Sequence, residues 1–159
     1  MKTLIVGLGN PILTDDGVGV KVAYLLEDIL TDEEQDITIT EAGVGGLRLM
    51  ELMIGYDRVI IIDAIMQCNG NKPGTIHRMT LDDLRTISPT QHSASAHDTT
   101  LVTALDMGQR MELPLPDQVS IFAIEVENTL VFSEEPTPKV AEAIPIVAEA
   151  VLNELKGGF

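Results

Sequence analysis

Val59–Ile65 reads VIIIDAI and is the most apolar run in the chain. Apolar residues without polar alternation over this length mark a strand covered on both faces, as in the middle of a parallel sheet. Its one charged residue, Asp63, lies near the carboxyl end. Two further runs read the same way: Thr3–Leu8 (TLIVGL), which leads straight into Gly9 and Asn10, and Val119–Val126 (VSIFAIEV). Ile37–Glu41 (ITITE) alternates as a strand should, and Thr75–Met79 follows the turn-forming NGNKPG at 69–74 and is expected at a sheet edge.

Between these strands the period changes to that of a helix. From Gly17 to Leu30, Val18, Val22, Leu25, Leu26 and Ile29 recur at helical spacing, with Asp15 and Asp16 placed as cap and first-turn acids. A short helix is expected over Leu47–Met53 after Gly43, Gly45 and Gly46, another from about Asp98 to Met107, and a terminal one over Pro138–Lys156, stopped by Gly157 and Gly158. Residues 80–96 show little periodicity and read as a surface loop. The alternation predicts an α/β three-layer sandwich: a mostly parallel twisted sheet of about five strands, helices on both faces, and one domain over 1–159.

The chain has 159 residues, 45% hydrophobic and 22% charged, which is enough apolar material to bury a core and too much for a disordered chain. Its one cysteine, Cys68, excludes an internal disulfide framework and a thiolate metal cage. A formal net charge of −15 repels phosphate backbones and anionic lipid, so neither nucleic acid nor a membrane surface is an expected partner. No run approaches the roughly 20 apolar residues of a membrane span. The expected location is the cytoplasm.

In open α/β sheets, ligands bind beyond the carboxyl ends of the strands. There the first strand delivers Gly9 and Asn10 and then Asp15 and Asp16. The second delivers Glu41 and Gly43, and the third delivers Asp63. His97 returns at the start of a later helix. Gly7 and Gly9 begin a dinucleotide fingerprint, but Ile12 stands where its third glycine belongs, and two acids open the helix where a pyrophosphate needs bare positive dipole. Singly, Asp16 reads as a helix-start acid, Asp63 as a turn cap and His97 as a packing residue. Together, two carboxylates and an imidazole make a mixed oxygen and nitrogen set suited to zinc, nickel or cobalt, with positions left open for water or substrate.

GLGNPILTDDGVGV (Gly7–Val20), IIIDAI (Ile60–Ile65) and SAHDTTLVTAL around His97 together resemble the hydrogenase maturation proteases, and the similarity runs through nearly the whole chain. The resemblance implies an endopeptidase that removes the C-terminal extension from the large-subunit precursor of a nickel-iron hydrogenase after nickel insertion. It implies that Asp16, Asp63 and His97 contact the nickel, carried by the substrate, and that other divalent ions can occupy the same site. Gly9, Asn10, Glu41 and Gly43 are the candidate substrate-binding residues, and a monomer meeting its substrate transiently is expected. Where the family has an Asp with a Thr after the second strand, this chain has Glu41-Ala-Gly43-Val-Gly45, which points to a subfamily with its own partner. His77 and His92 match no family role and are expected at the surface or in a loop.

Without a convincing Ser or Cys nucleophile, the expected chemistry is attack by a metal-bound or carboxylate-bound water, with the metal as Lewis acid or bringing the bond into register with Asp16 or Asp63 as base. Two other classes stay open at this level. The GLGNP turn also resembles the opening of peptidyl-tRNA hydrolase, although Thr14-Asp15-Asp16 replaces that family's basic element and the charge opposes a tRNA partner. A nickel-sensing, chaperone-like partner that binds the precursor without cutting it would use the same three ligands.

Overall fold

The computed structural model describes residues 1–30, 36–43, 46–66, 71–87 and 96–157, without the side chains of residues 87 and 96–100. Five strands, β1 (Thr3–Leu8), β2 (Ile37–Ala42), β3 (Arg58–Met66), β4 (Ile76–Thr80) and β5 (Gln118–Val126), form one sheet in the order β2-β1-β3-β5-β4. All neighbours are parallel except β4, which runs antiparallel to β5 at the edge. The three strands read as apolar runs, β1, β3 and β5, are the three central ones, because only strands flanked and covered on both faces lack a solvent side for polar residues.

Strand alternation sorts the core into two layers. Ile60, Ile62, Phe122 and Ile124 point to one face, where α1 (Val18–Ile29) and α5 (Pro138–Gly157) cover them with Val22, Leu26, Val147 and Val151. Val59, Ile61, Val119 and Ile121 point to the other, under α2 (Leu47–Met53), α3 (Leu81–Ile87) and α4 (Ala96–Arg110). Two helices on one face and three on the other make the expected α/β sandwich. Among the described residues no helix is long and apolar enough to cross a membrane.

One expectation fails. Residues 81–87 are helical rather than looped. Thr80 and Asp83 form a reciprocal cap: the Thr80 N–H donates to Asp83 Oδ2 at 2.8 Å, and the Asp83 N–H donates to Thr80 Oγ1 at 3.3 Å. Leu84 then anchors the turn in the core. His77, expected at the surface or in a loop, is partly exposed on the edge strand. It lies on β4, and its Nε2 sits 3.0 Å from Oε1 of the fully buried Glu125 on β5, because that carboxylate needs a partner out of water. His92 lies outside the described residues.

Candidate active site at the carboxyl ends of the parallel strands

Beyond Leu8 the chain turns sharply. Gly9 has φ 127°, a conformation that disfavours any side chain, and a Cβ there would collide with the Asp16 carbonyl oxygen. The turn closes on itself when the Leu13 N–H donates to the Asn10 carbonyl at 3.1 Å and the Ile12 N–H to Asn10 Oδ1 at 3.2 Å. This leaves the Asn10 N–H free to donate to Asp16 Oδ2 at 2.9 Å. The side chain of Asn10 therefore shapes the turn while its backbone orients the carboxylate. Asp16 itself sits in a short 3-10 turn, Thr14–Gly17, and is partly exposed.

Asp15 and Asp16 are neighbours with opposite fates. Asp15 is fully buried and accepts from the Glu127, Asn128 and Thr137 N–H groups at 3.2, 3.0 and 2.7 Å, and from the Thr137 hydroxyl at 2.9 Å. It is a clamp that joins the 3-10 turn to the end of β5 and the start of α5, a role beyond the capping expected of it. Nothing in the sequence near position 15 marks it, because its partners lie more than a hundred residues away.

Asp63 is 4% exposed, and its Oδ1 accepts from the Ala64 N–H at 2.8 Å. It shares the face of Val59 and Ile61, toward α4. The approach of α1 sets the Asp16 turn against the same strand, from the opposite face. Gly19, three residues after Asp16, lies so close to β3 that a Cβ would strike the Ile62 carbonyl oxygen, one residue before Asp63. A glycine at this contact lets the first turn of α1, with the acid that precedes it, press on β3 just before Asp63. His97 is the second residue of α4, on the sheet face toward which Asp63 points; its side chain lies outside the described residues. Among the described residues no three His, Cys, Asp or Glu side chains are arranged to hold a metal ion.

The other expected contacts divide. Glu41 stands opposite Gly7 on β2, but its position in the alternation turns it to the α1 face, away from Asp63. There Tyr24 on α1 donates its hydroxyl to Glu41 Oε2 at 2.5 Å, and this bond to the carboxylate raises the tyrosine pKa above its usual value. Gly43 is exposed just beyond β2, with open space where a Cβ would stand. On the Asp63 face, Asp63 and His77 flank Ala123 from either side, and Glu125 follows two residues further along β5. A second acid and imidazole thus lie beside the site on strands whose sequences carry no periodic signal of it.

The arrangement offers one partly exposed and one nearly buried carboxylate at the same sheet end, chemistry suited to binding a cation or accepting a proton from water. Comparison with known proteins gives this chemistry a context. The hydrogenase maturation protease family matches residues 20–154. The hydrogenase 2 maturation protease of Escherichia coli is 32% identical over 162 residues, covering 98% of this chain and 92% of that protein. A putative hydrogenase maturation protease of Methanocaldococcus jannaschii is 27% identical, covering 96% of each. The solved structure of the E. coli hydrogenase maturating endopeptidase HybD superposes with a TM-score of 0.81 at 28% identity, covering 98% of this chain and 93% of that one. These matches decide for a protease against both the peptidyl-tRNA hydrolase and the non-catalytic readings: the chain belongs to the hydrogenase maturation protease family, and is an endopeptidase of hydrogenase maturation.

Proposed function

We propose that this endopeptidase removes the C-terminal extension of a nickel-iron hydrogenase large-subunit precursor once nickel is in place, and that Asp16, Asp63 and His97 read the nickel carried by that substrate. The family's trimming of the large subunit at its carboxyl terminus supplies the reaction. The observation that supports pairing the two acids is the close approach of Gly19 to Ile62, which brings the helix that follows Asp16 against β3 one residue before Asp63. Two carboxylates and an imidazole fit a borderline divalent ion and leave room for further ligands from the precursor.

In this reading the precursor enters with its nickel, and the scissile bond is brought beside the two carboxylates. One of them takes a proton from water as the oxygen adds to the scissile carbonyl carbon. The tetrahedral intermediate collapses, the C–N bond breaks, and the leaving amine takes up the proton. Asn10 would hold Asp16 in orientation throughout through its backbone N–H.

The test is processing of nickel-loaded and nickel-free precursor, followed by mass spectrometry. The wild type is expected to cut only the loaded form. Asp16→Asn, Asp63→Asn and His97→Ala are each expected to lose at least a hundredfold in rate while keeping the wild-type circular dichroism spectrum. Full activity in Asp16→Asn and His97→Ala together would remove these residues from the mechanism.

A further inference from the structure

Next to the candidate site stands an apolar surface that the fold does not need. After β5 the chain runs through Leu130, Val131 and Phe132, whose exposures are 87%, 56% and 79%. Ile12 and Met66 are exposed beside them. Large apolar side chains in contiguous exposed patches mark interaction sites more often than they occur by chance.

The loop is rigidly built even though its side chains face water. Asn128 Oδ1 accepts from the N–H groups of Leu130 and Val131 at 3.1 and 3.2 Å. The Thr14 hydroxyl donates to the Val131 carbonyl, and Ser133 pairs with the Ile12–Thr14 backbone through two bonds of 2.9 and 3.0 Å. Thr14 accepts φ 48° to make this pairing, a costly conformation for a β-branched residue. Asp15 holds the loop's first two N–H groups. A backbone fixed in this way presents Leu130 and Phe132 at set positions, which lowers the backbone share of the entropy cost of docking.

We infer that the Leu130–Phe132 loop, with Ile12 and Met66, is the surface on which the large-subunit precursor docks its folded body, outside the peptide being cut. The inference rests on the proposed function. Two observations choose this occupant. First, the patch adjoins the candidate site: Ile12 lies in the turn that orients Asp16, and Met66 ends the strand of Asp63 and receives the Thr129 hydroxyl at 3.9 Å. Whatever is cut there must lie against it. Second, the apolar tip is bordered by exposed Glu127, Glu134 and Glu135, and no Lys or Arg occurs between residues 127 and 138. An apolar centre with an acidic border fits a partner that presents an apolar pocket edged by Lys and Arg. A second copy of this chain would set carboxylates against carboxylates at a net charge of −15 each.

The probe is the purified nickel-loaded precursor of the same organism, with binding measured by calorimetry and cutting by mass spectrometry. Leu130→Ser/Phe132→Ser removes exposed side chains and is expected to keep the wild-type melting temperature. It should weaken binding at least tenfold and raise KM with kcat little changed. Leu130→Met/Phe132→Leu should retain most of the affinity, and Glu134→Lys/Glu135→Lys should weaken binding and flatten its salt dependence. Equal affinity of the wild type and the serine variant overturns the inference. So does concentration-dependent self-association of the wild type that the serine variant loses, since the surface would then serve a second copy. A wild type that binds the precursor through this loop without cutting it would leave the docking surface standing and strike the proposed function instead.

Discussion

The Thr137 N–H donates to Asp15 Oδ1 at 2.7 Å, joining the first residue before α5 to the turn that carries Asp16. The same carboxylate takes the Thr137 hydroxyl and two N–H groups from the end of β5. A charged acceptor that satisfies four donors away from water is a concentrated source of stability. Asp15→Ala leaves those donors without it, and Asp15→Asn turns an NH2 group toward some of them. Each should cost about 2–4 kcal/mol in urea unfolding. Processing of the precursor should fall as well in the fraction that stays folded, because the turn that orients Asp16 loses its anchor. A loss below about 0.5 kcal/mol, the size of an ordinary surface substitution, would show that the clamp is redundant.

Gly19 decides how close α1 can come to β3. Alanine there gains up to about 1 kcal/mol in helix propensity. Its Cβ, however, meets the carbonyl oxygens of Ile62 and Leu8, which are backbone atoms of two central strands and cannot swing aside. Overpacking of this kind costs roughly 1–3 kcal/mol, so the net effect should be a lower melting temperature despite the better helix former. The readout that separates position from stability is the rate of precursor processing well below the melting temperature. It should fall more than the folded fraction does, since relief of the clash moves Asp16 relative to Asp63. Unchanged rate and stability together would mean that the helix can shift without consequence.

The central sheet was legible because its strands need no partner to declare themselves: VIIIDAI and TLIVGL can hardly be anything but covered strands. Asp63 stood out for the same reason, as one acid in an apolar run. Helix α3 was missed because its signal is a cap rather than a period; Thr80 and Asp83 are three apart, a spacing that periodicity counting passes over. The roles of Asp15, and of Glu125 with His77, were not legible at all. Each depends on a partner brought near by topology, 122 residues away for Thr137 and 48 for His77. The face toward which Glu41 points follows from strand parity, which can be counted in the sequence only after the register of β2 is known.

The α3 cap is small enough to test in isolation from the site. Asp83→Ala removes the acceptor of the Thr80 N–H and hydroxyl, and Thr80→Ala removes the acceptor of the Asp83 N–H. Each should destabilise by about 1 kcal/mol, and the double variant should lose less than the sum, because both changes break the same box. Amide exchange over 81–87 should quicken more than over β3. Strict additivity of the two variants would mean that the reciprocal bonds are not coupled.

Arg85 on α3 and Asp106 on α4 form a two-pronged pair, with Nη1 to Oδ2 at 3.0 Å and Nη2 to Oδ1 at 2.7 Å. The hydrogen bonds from Arg85, with its charge, hold the Asp106 carboxyl below the usual carboxylate value, against a smaller opposing effect of burial. A carboxyl whose pKa is lowered on folding adds stability above its unfolded value, about 3.9, and loses it as pH falls through the folded value. Both side chains are 40% exposed, so solvent and salt screen the pair and its whole contribution should be no more than about 1 kcal/mol. Arg85→Met should therefore lower stability slightly and evenly between about pH 5 and 8, and the difference from wild type should shrink as the pH drops below about 4. It should shrink again at about 1 M salt, where the screening length is near 3 Å. A difference that grew on acidification would have the wrong sign for a depressed carboxyl, and would place the stabilising contact of Arg85 somewhere other than Asp106.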